Sequence, residues 1–172
     1  FLTEALASHG FIVVAPDHAG NTALDEFLGT TAPEEQNEVN RTADVGFVLS
    51  QVLSGKSDNP MAKAVDLGRV GVIGHSFGGY SALTSTAGWK TIPPDTRVKA
   101  IVGMAPYTRN IPDATLKKVA VPTMLIAGTK DIITPIATDM ERPWALISGR
   151  PLYRVDLRDV GHQAFTDVCA YK

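Results

Sequence analysis

The chain has 172 residues, 44% apolar and 20% charged, with a net charge of −2. That is ordinary for one globular domain burying about two-thirds of its unfolded surface, and so weak a charge gives no reason to expect nucleic acid or an anionic membrane as partner. No apolar run approaches the roughly 18 residues of a membrane span, and no targeting segment is visible.

The first residues, Phe1-Leu2-Thr3-Glu4-Ala5-Leu6-Ala7, read as the middle of a helix without a cap, ending at Gly10. Residue 1 is not Met, so the expectation is that upstream sequence, with room for a signal peptide, is missing, and the compartment stays open. A β-branched run, Phe11 to Ala15, predicts a strand closed by Pro16, and a polar loop runs from Asp17 to Pro33. From Glu34 to Leu53 the positions Val39, Ala43, Phe47, Val48 and Val52 predict an amphipathic helix. Within it, Asn40-Arg41-Thr42 fits a glycosylation sequon. Ser54 to Pro60 reads as loop.

Val70 to Ile73 predicts a strand and Phe77 to Ala87 a helix behind it. Val98 to Met104 and Val121 to Ala127 are apolar runs typical of strands buried on both faces. Ala137 to Ile147 reads as a helix disturbed by Pro143. Leu152 to Leu157 alternates like an outer strand, and His162 opens a last short helix. The single Cys169 is either a free thiol or the partner of a cysteine outside these residues. Strands alternating with helices predict one α/β domain over residues 1–172: a doubly wound, mostly parallel sheet with helices on both faces.

Gly74-His75-Ser76-Phe77-Gly78-Gly79 follows the strand at Val70–Ile73. Serine flanked two residues away on each side by glycine, between strand and helix, is the nucleophile-elbow pattern. The sharp reversal strains the serine backbone and exposes its hydroxyl, and bare positions at Gly74 and Gly78 prevent collisions in the turn. The N–H of Phe77, at the helix start, can receive a developing oxyanion. Phosphate-binding readings fail. Tyr80-Ser81 follows Gly79 where a P-loop needs Lys-Ser/Thr, and the spacing of Gly71, Gly74 and Gly78 does not suit a dinucleotide fingerprint.

A serine hydroxyl needs a base, and the base needs a carboxylate to hold its tautomer. Among His9, His18, His75 and His162, only His162 is on a late loop where a mobile ring can reach Ser76. For the acid, Asp131 leaves a buried strand through a tight turn, with Asp139, Asp156 and Asp159 as rivals. The order Ser76, Asp131, His162 is the one this elbow type uses, and all three follow predicted strand ends, where α/β sheets bind ligands.

With these motifs, together with Leu6–His18, Gly128-Thr129-Lys130-Asp131 and Gly161-His162-Gln163-Ala164-Phe165, the chain resembles an α/β-hydrolase. It is similar to the dienelactone-hydrolase-like and platelet-activating-factor-acetylhydrolase-like esterases. The resemblance implies Ser76 as nucleophile, Asp131 as acid, His162 as base and Phe77 as one oxyanion N–H. It gives Asp17-His18 only a structural turn. Dienelactone hydrolases proper carry cysteine at the elbow, so Ser76 favours general ester hydrolysis over lactone specificity. These folds also place a strand and an oxyanion loop ahead of the first helix seen here, so residues 1–172 are expected to be the later part of a longer protein.

The implied chemistry is carboxylic-ester hydrolysis through an acyl-enzyme, with no metal or organic cofactor and a small-molecule or lipid-like ester as partner. Tyr107, Ile132 and Trp144 are candidates to line an acyl pocket. An amide or peptide hydrolase of the same fold and a non-catalytic binding protein are the alternatives.

Overall fold

The computed structural model describes residues 2–54 and 63–167, in two compact units, 1–67 and 68–172. Cys169 and most of the loop predicted at 54–60 lie outside the described residues. Among the described residues no helix is long and apolar enough to cross a membrane.

The first unit holds helices α1 (Leu2–Ser8), α2 (Ala23–Leu28) and α3 (Glu34–Leu53). Short α2 is set by a capping box: the Thr22 hydroxyl accepts the Asp25 N–H at 3.1 Å, and the Asp25 carboxylate accepts the Thr22 N–H at 2.9 Å. Gly29, at φ 68°, ends it in the left-handed conformation. Helix α3 occupies its predicted range, with Glu34 and Glu35 favouring its first turn.

Two expectations fail in this unit. The predicted strand at Phe11–Ala15 does not form, and Phe11 and Val14 are exposed. β-Branched residues favour a strand only where a neighbour accepts their backbone groups, and no described strand of this unit lies beside them. The apolar positions of α3 also do not become core. Phe47 is 63% exposed, whereas Asn37, Glu38 and Thr42 are buried. An apolar helical stripe needs a second layer to cover it, and the described part of this unit contains no sheet. Two of the buried side chains make local bonds: Asn37 Nδ2 donates to the Ala32 carbonyl and Thr42 Oγ1 to the Glu38 carbonyl, each at 2.8 Å. The Thr42 hydroxyl of the sequon is therefore engaged inside the helix.

The second unit is built on a parallel sheet of β1 (Gly71–His75), β2 (Ala100–Met104), β3 (Thr123–Gly128) and β4 (Leu152–Leu157), in the order β1-β2-β3-β4. Gly74 lies opposite Gly103, Gly103 opposite Leu125, and Leu125 opposite Arg154. Ile101, Leu125 and Val119 are buried with Tyr80 and Leu83 of α4 (Phe77–Ala87) and Leu116 of α5 (Asp113–Leu116). Burying each Leu or Ile contributes roughly 1.5–3 kcal/mol.

Helix α4 is buried from Gly79 to Ala87 although it carries Ser81, Thr84, Ser85 and Thr86. Each of these hydroxyls donates to a carbonyl one turn back, at 2.8–3.0 Å, so none of these four enters the core unpaired.

Pro143 disturbs the predicted 137–147 helix in a definite way. A π-helical turn at Ile136–Met140 precedes α6 (Glu141–Leu146). Having no N–H, Pro143 leaves the Asp139 carbonyl without its helical donor, and the Thr108 hydroxyl supplies one at 2.9 Å. After β4, a single 3-10 turn at His162–Phe165 is the predicted last short helix.

Candidate active site

Ser76 sits between β1 and α4 with φ 56° and ψ −117°, a backbone conformation costing about 1–3 kcal/mol for a non-glycine residue. Its surroundings hold it there. The Ser76 N–H donates to the Met104 carbonyl at the end of β2, at 2.9 Å. Its own carbonyl accepts from the N–H groups of Gly79 (2.9 Å), Tyr80 (3.2 Å) and Tyr107 (3.0 Å). A Cβ at Gly74 would collide with the Gly78 backbone, so the turn closes only with glycine there. Gly79 carries a steric role that the motif spacing did not reveal: a Cβ there would stand 2.7 Å from Pro106 Cβ.

Asp131 and His162 leave the ends of β3 and β4. Two backbone amides, of Ile133 and Thr134, each donate to Asp131 Oδ1 at 2.8 Å. Asp131 Oδ2 meets His162 Nδ1 at 2.7 Å and the Thr134 hydroxyl at 2.9 Å. An ionised carboxylate only accepts, so His162 carries its proton on Nδ1 and presents the Nε2 lone pair. Asp131 and His162 are both buried.

Burial, the largest single influence, pushes the Asp131 carboxyl up. Hydrogen bonds from the Thr134 N–H, the His162 ring, the Thr134 hydroxyl and the Ile133 N–H outweigh it and hold the carboxyl below its ordinary range.

A clasp between the two loops brings the pair together. The Lys130 N–H donates to the Val160 carbonyl and the Thr129 N–H to the Leu157 carbonyl, both at 2.9 Å. The Asp159 N–H meets the Thr129 hydroxyl at 2.9 Å, and Lys130 pairs with Asp159 at 3.0 Å. Any Cβ on Gly128 would strike the Val160 carbonyl, so a bare position at the end of β3 is what lets the histidine loop approach. The His75 ring lies 4.5 Å from that of His162, and its Nε2 donates to the His162 carbonyl at 2.9 Å. Burial, with the nearby His162 second, pushes the His75 pKa down.

The rival carboxylates are engaged elsewhere. Asp139 is buried under the backbone amides of Thr108 and Arg109 and the Arg109 guanidinium. Asp156 pairs with Arg154, and Asp159 with Lys130. Among the described residues, Asp131 is the carboxylate that bonds His162. No hydrogen bond there joins Ser76 to His162, a separation common in unliganded sites.

Phe77 is the first residue of α4, and its ring meets Tyr107 edge-on at 5.9 Å. Tyr107 is half-buried, tied to Ser76 by its N–H and stacked under Arg109 at 5.2 Å. Ile132 follows Asp131 with its side chain 85% exposed, and Trp144 lies on α6, partly exposed. Sequence reading missed Thr134, although its position three residues after Asp131 is the spacing of a side-chain-capped turn. Among the described residues no cluster of His, Cys, Asp and Glu could hold a metal ion.

A parallel sheet whose first described strand runs through a strained serine turn into a buried helix defines an α/β-hydrolase. The crystal structure of a predicted CIB-like hydrolase from Thermoplasma acidophilum shares this fold, with a TM-score of 0.55, 22% identity and coverage of 77% of this chain and 54% of that one. Residues 1–166 match the PET hydrolase-like family, and the chain belongs to it. It is 30% identical to cutinase est1 of Thermobifida alba over 141 residues, covering 82% of this chain and 40% of that protein. It is also 32% identical to chlorophyllase type 0 of Chenopodium album over 123 residues, covering 66% of this chain and 32% of that protein. The chain thus spans about two-fifths of the cutinase and one-third of the chlorophyllase.

Proposed function

We propose that this protein is a serine hydrolase of carboxylic esters, with Ser76 as nucleophile, His162 as base and Asp131 as the acid that orients it. The observation that carries this reading is the 2.7 Å Asp131–His162 bond, on strand ends of the sheet that also holds the strained Ser76 turn. Ser76 Oγ attacks the ester carbonyl while His162 Nε2 takes its proton. The Phe77 N–H, at the start of α4, supports the oxyanion; removing such a donor costs about 2.7–4 kcal/mol of transition-state stabilisation. His162 then returns the proton to the departing alcohol, leaving an acyl-Ser76, and repeats the cycle with water to release the acid.

The names cutinase and PET hydrolase-like support an ester of the cutin or PET kind as substrate. Tyr107 beside Phe77 and the exposed Ile132 beside Asp131 suit an apolar acyl or aryl group, with Trp144 a further candidate. Within the superfamily, kinship to dienelactone-hydrolase-like and platelet-activating-factor-acetylhydrolase-like serine esterases is part of the reading, with serine at the elbow favouring open-chain esters.

A matched pair of substrates tests the proposal: a p-nitrophenyl ester and the p-nitroanilide of the same acid. Turnover of the ester with the anilide far slower is expected. An anilide rate equal to the ester rate would assign the site to amide hydrolysis, and no turnover of either would leave a binding role.

A further inference from the structure

Ester hydrolysis by Ser76, Asp131 and His162 leaves one buried polar group of the site without an assignment. Thr134 is 2% exposed, and its hydroxyl touches three polar atoms: Asp131 Oδ2 at 2.9 Å, His162 Nδ1 at 3.1 Å and the Ala105 carbonyl at 3.1 Å. The third contact is built in by the backbone. Ala105 adopts φ 43°, in the left-handed region, while its N–H is held by the Ile126 carbonyl at 2.7 Å.

A hydroxyl has one proton and two lone pairs. Two of its three neighbours here, the ionised carboxylate and the carbonyl, only accept. Whichever of them receives the Thr134 proton, Oγ1 has only a lone pair left for His162 Nδ1. The hydroxyl then accepts from an Nδ1–H; with a bare Nδ1 it would have to turn its one proton to the ring, leaving Asp131 Oδ2 facing lone pairs on both sides. Asp131 makes the same demand from the other side of that proton.

We infer that Thr134 is a positioning residue: its hydroxyl, giving its one proton to Asp131 or to the Ala105 carbonyl, is the second acceptor for the His162 Nδ1–H and keeps the ring aimed with Nε2 bare. The inference rests on the proposed roles of Ser76, Asp131 and His162 for its catalytic consequence, but the placement of the proton stands apart from them. When His162 becomes a cation during turnover, two oxygens share its Nδ1–H, so losing one slows kcat and leaves KM alone.

The test compares Thr134→Val with Thr134→Ser in the full protein, each checked for native fold by circular dichroism. Thr134→Ala is the second hydroxyl-free variant if valine does not fold. Proton NMR follows the low-field Nδ1–H of His162, identified by its absence in His162→Ala. The resonance is expected to persist in the parent and in Thr134→Ser, and to be lost to solvent exchange in the hydroxyl-free variant. In parallel, kcat on the p-nitrophenyl ester should fall about tenfold in that variant with KM unchanged, and serine should restore it. An undiminished resonance without the hydroxyl, or equal loss in Thr134→Ser, overturns the inference. The NMR arm needs no turnover, so failure of the esterase reading would show only in the kinetics.

Discussion

Two Asp–His pairs of the same length stand among the described residues, one in each unit. His18 Nδ1 meets Asp44 Oδ2 at 2.7 Å, and His162 Nδ1 meets Asp131 Oδ2 at 2.7 Å. Their surroundings separate them. Asp44 lies on helix α3 with its side chain 35% exposed, and its described neighbours are His18 and the charge of Arg41. Asp131 has a fully buried side chain and all its lone-pair directions filled, by two backbone amides, the Thr134 hydroxyl and the ring. The second unit adds a strained serine on the same sheet; the first contains no sheet among its described residues. A hydrogen-bonded pair is therefore a weak sign of chemistry by itself. What singles out His162 is a buried carboxylate held below its ordinary range and a strained serine carried on the same sheet.

The widest separation should appear in turnover. His162→Ala and Ser76→Ala should each lower kcat/KM for an ester by at least about a thousandfold, with the double variant hardly worse, because such residues act as a unit. His18→Ala should leave kcat/KM within about twofold. Comparable losses at the two histidines would erase the distinction between the pairs.

Stability should divide the units next. Leu125 in β3 is completely buried, and Leu125→Ala should cost about 2–5 kcal/mol in urea unfolding. Phe27 in α2 is 86% exposed, so Phe27→Ala should change stability by less than about 0.5 kcal/mol. A larger loss at Phe27 would show that the first unit buries more than its described surface suggests.

Acid sensitivity of the candidate site is the smallest effect. Two groups of the candidate site sit below their ordinary values, 6.5 for His75 and 3.8 for Asp131. In each case the unfolded chain binds the proton first on acidification, so folding stability falls as pH falls. The His75 contribution should begin to disappear below pH 6.5, and the Asp131 contribution below pH 3.8. Thermal midpoints measured across that range should decline, with the upper part of the decline missing in His75→Phe. A flat profile in the parent would contradict both shifts.

These differences also mark what the sequence makes legible. Leu152–Leu157 and the helices at 34–53 and 77–87 follow from alternation, from an apolar stripe and from the glycine elbow, and they form where expected. The Asp131–His162 contact was anticipated from residue order and from both residues following predicted strand ends. Phe11–Ala15 misleads because β-branching states a preference, whereas a strand exists only with a partner beside it. The burial of Asn37, Glu38 and Thr42 in place of the α3 apolar stripe depends on what covers the helix, which periodicity does not encode. The roles of Gly128, Thr134 and Ala105 beyond their local turns were hidden for a related reason: each acts through a group far away in sequence, namely the Val160 carbonyl, His162 Nδ1 and the Thr134 hydroxyl.

The central claim, that Ser76 is an activated nucleophile, is tested most directly by labelling with a fluorophosphonate and locating the adduct by peptide mass spectrometry. The account predicts one adduct, on Ser76, absent in Ser76→Ala and formed far more slowly in His162→Ala. No adduct on the folded protein, or an adduct on another residue with Ser76 unmodified, would contradict it.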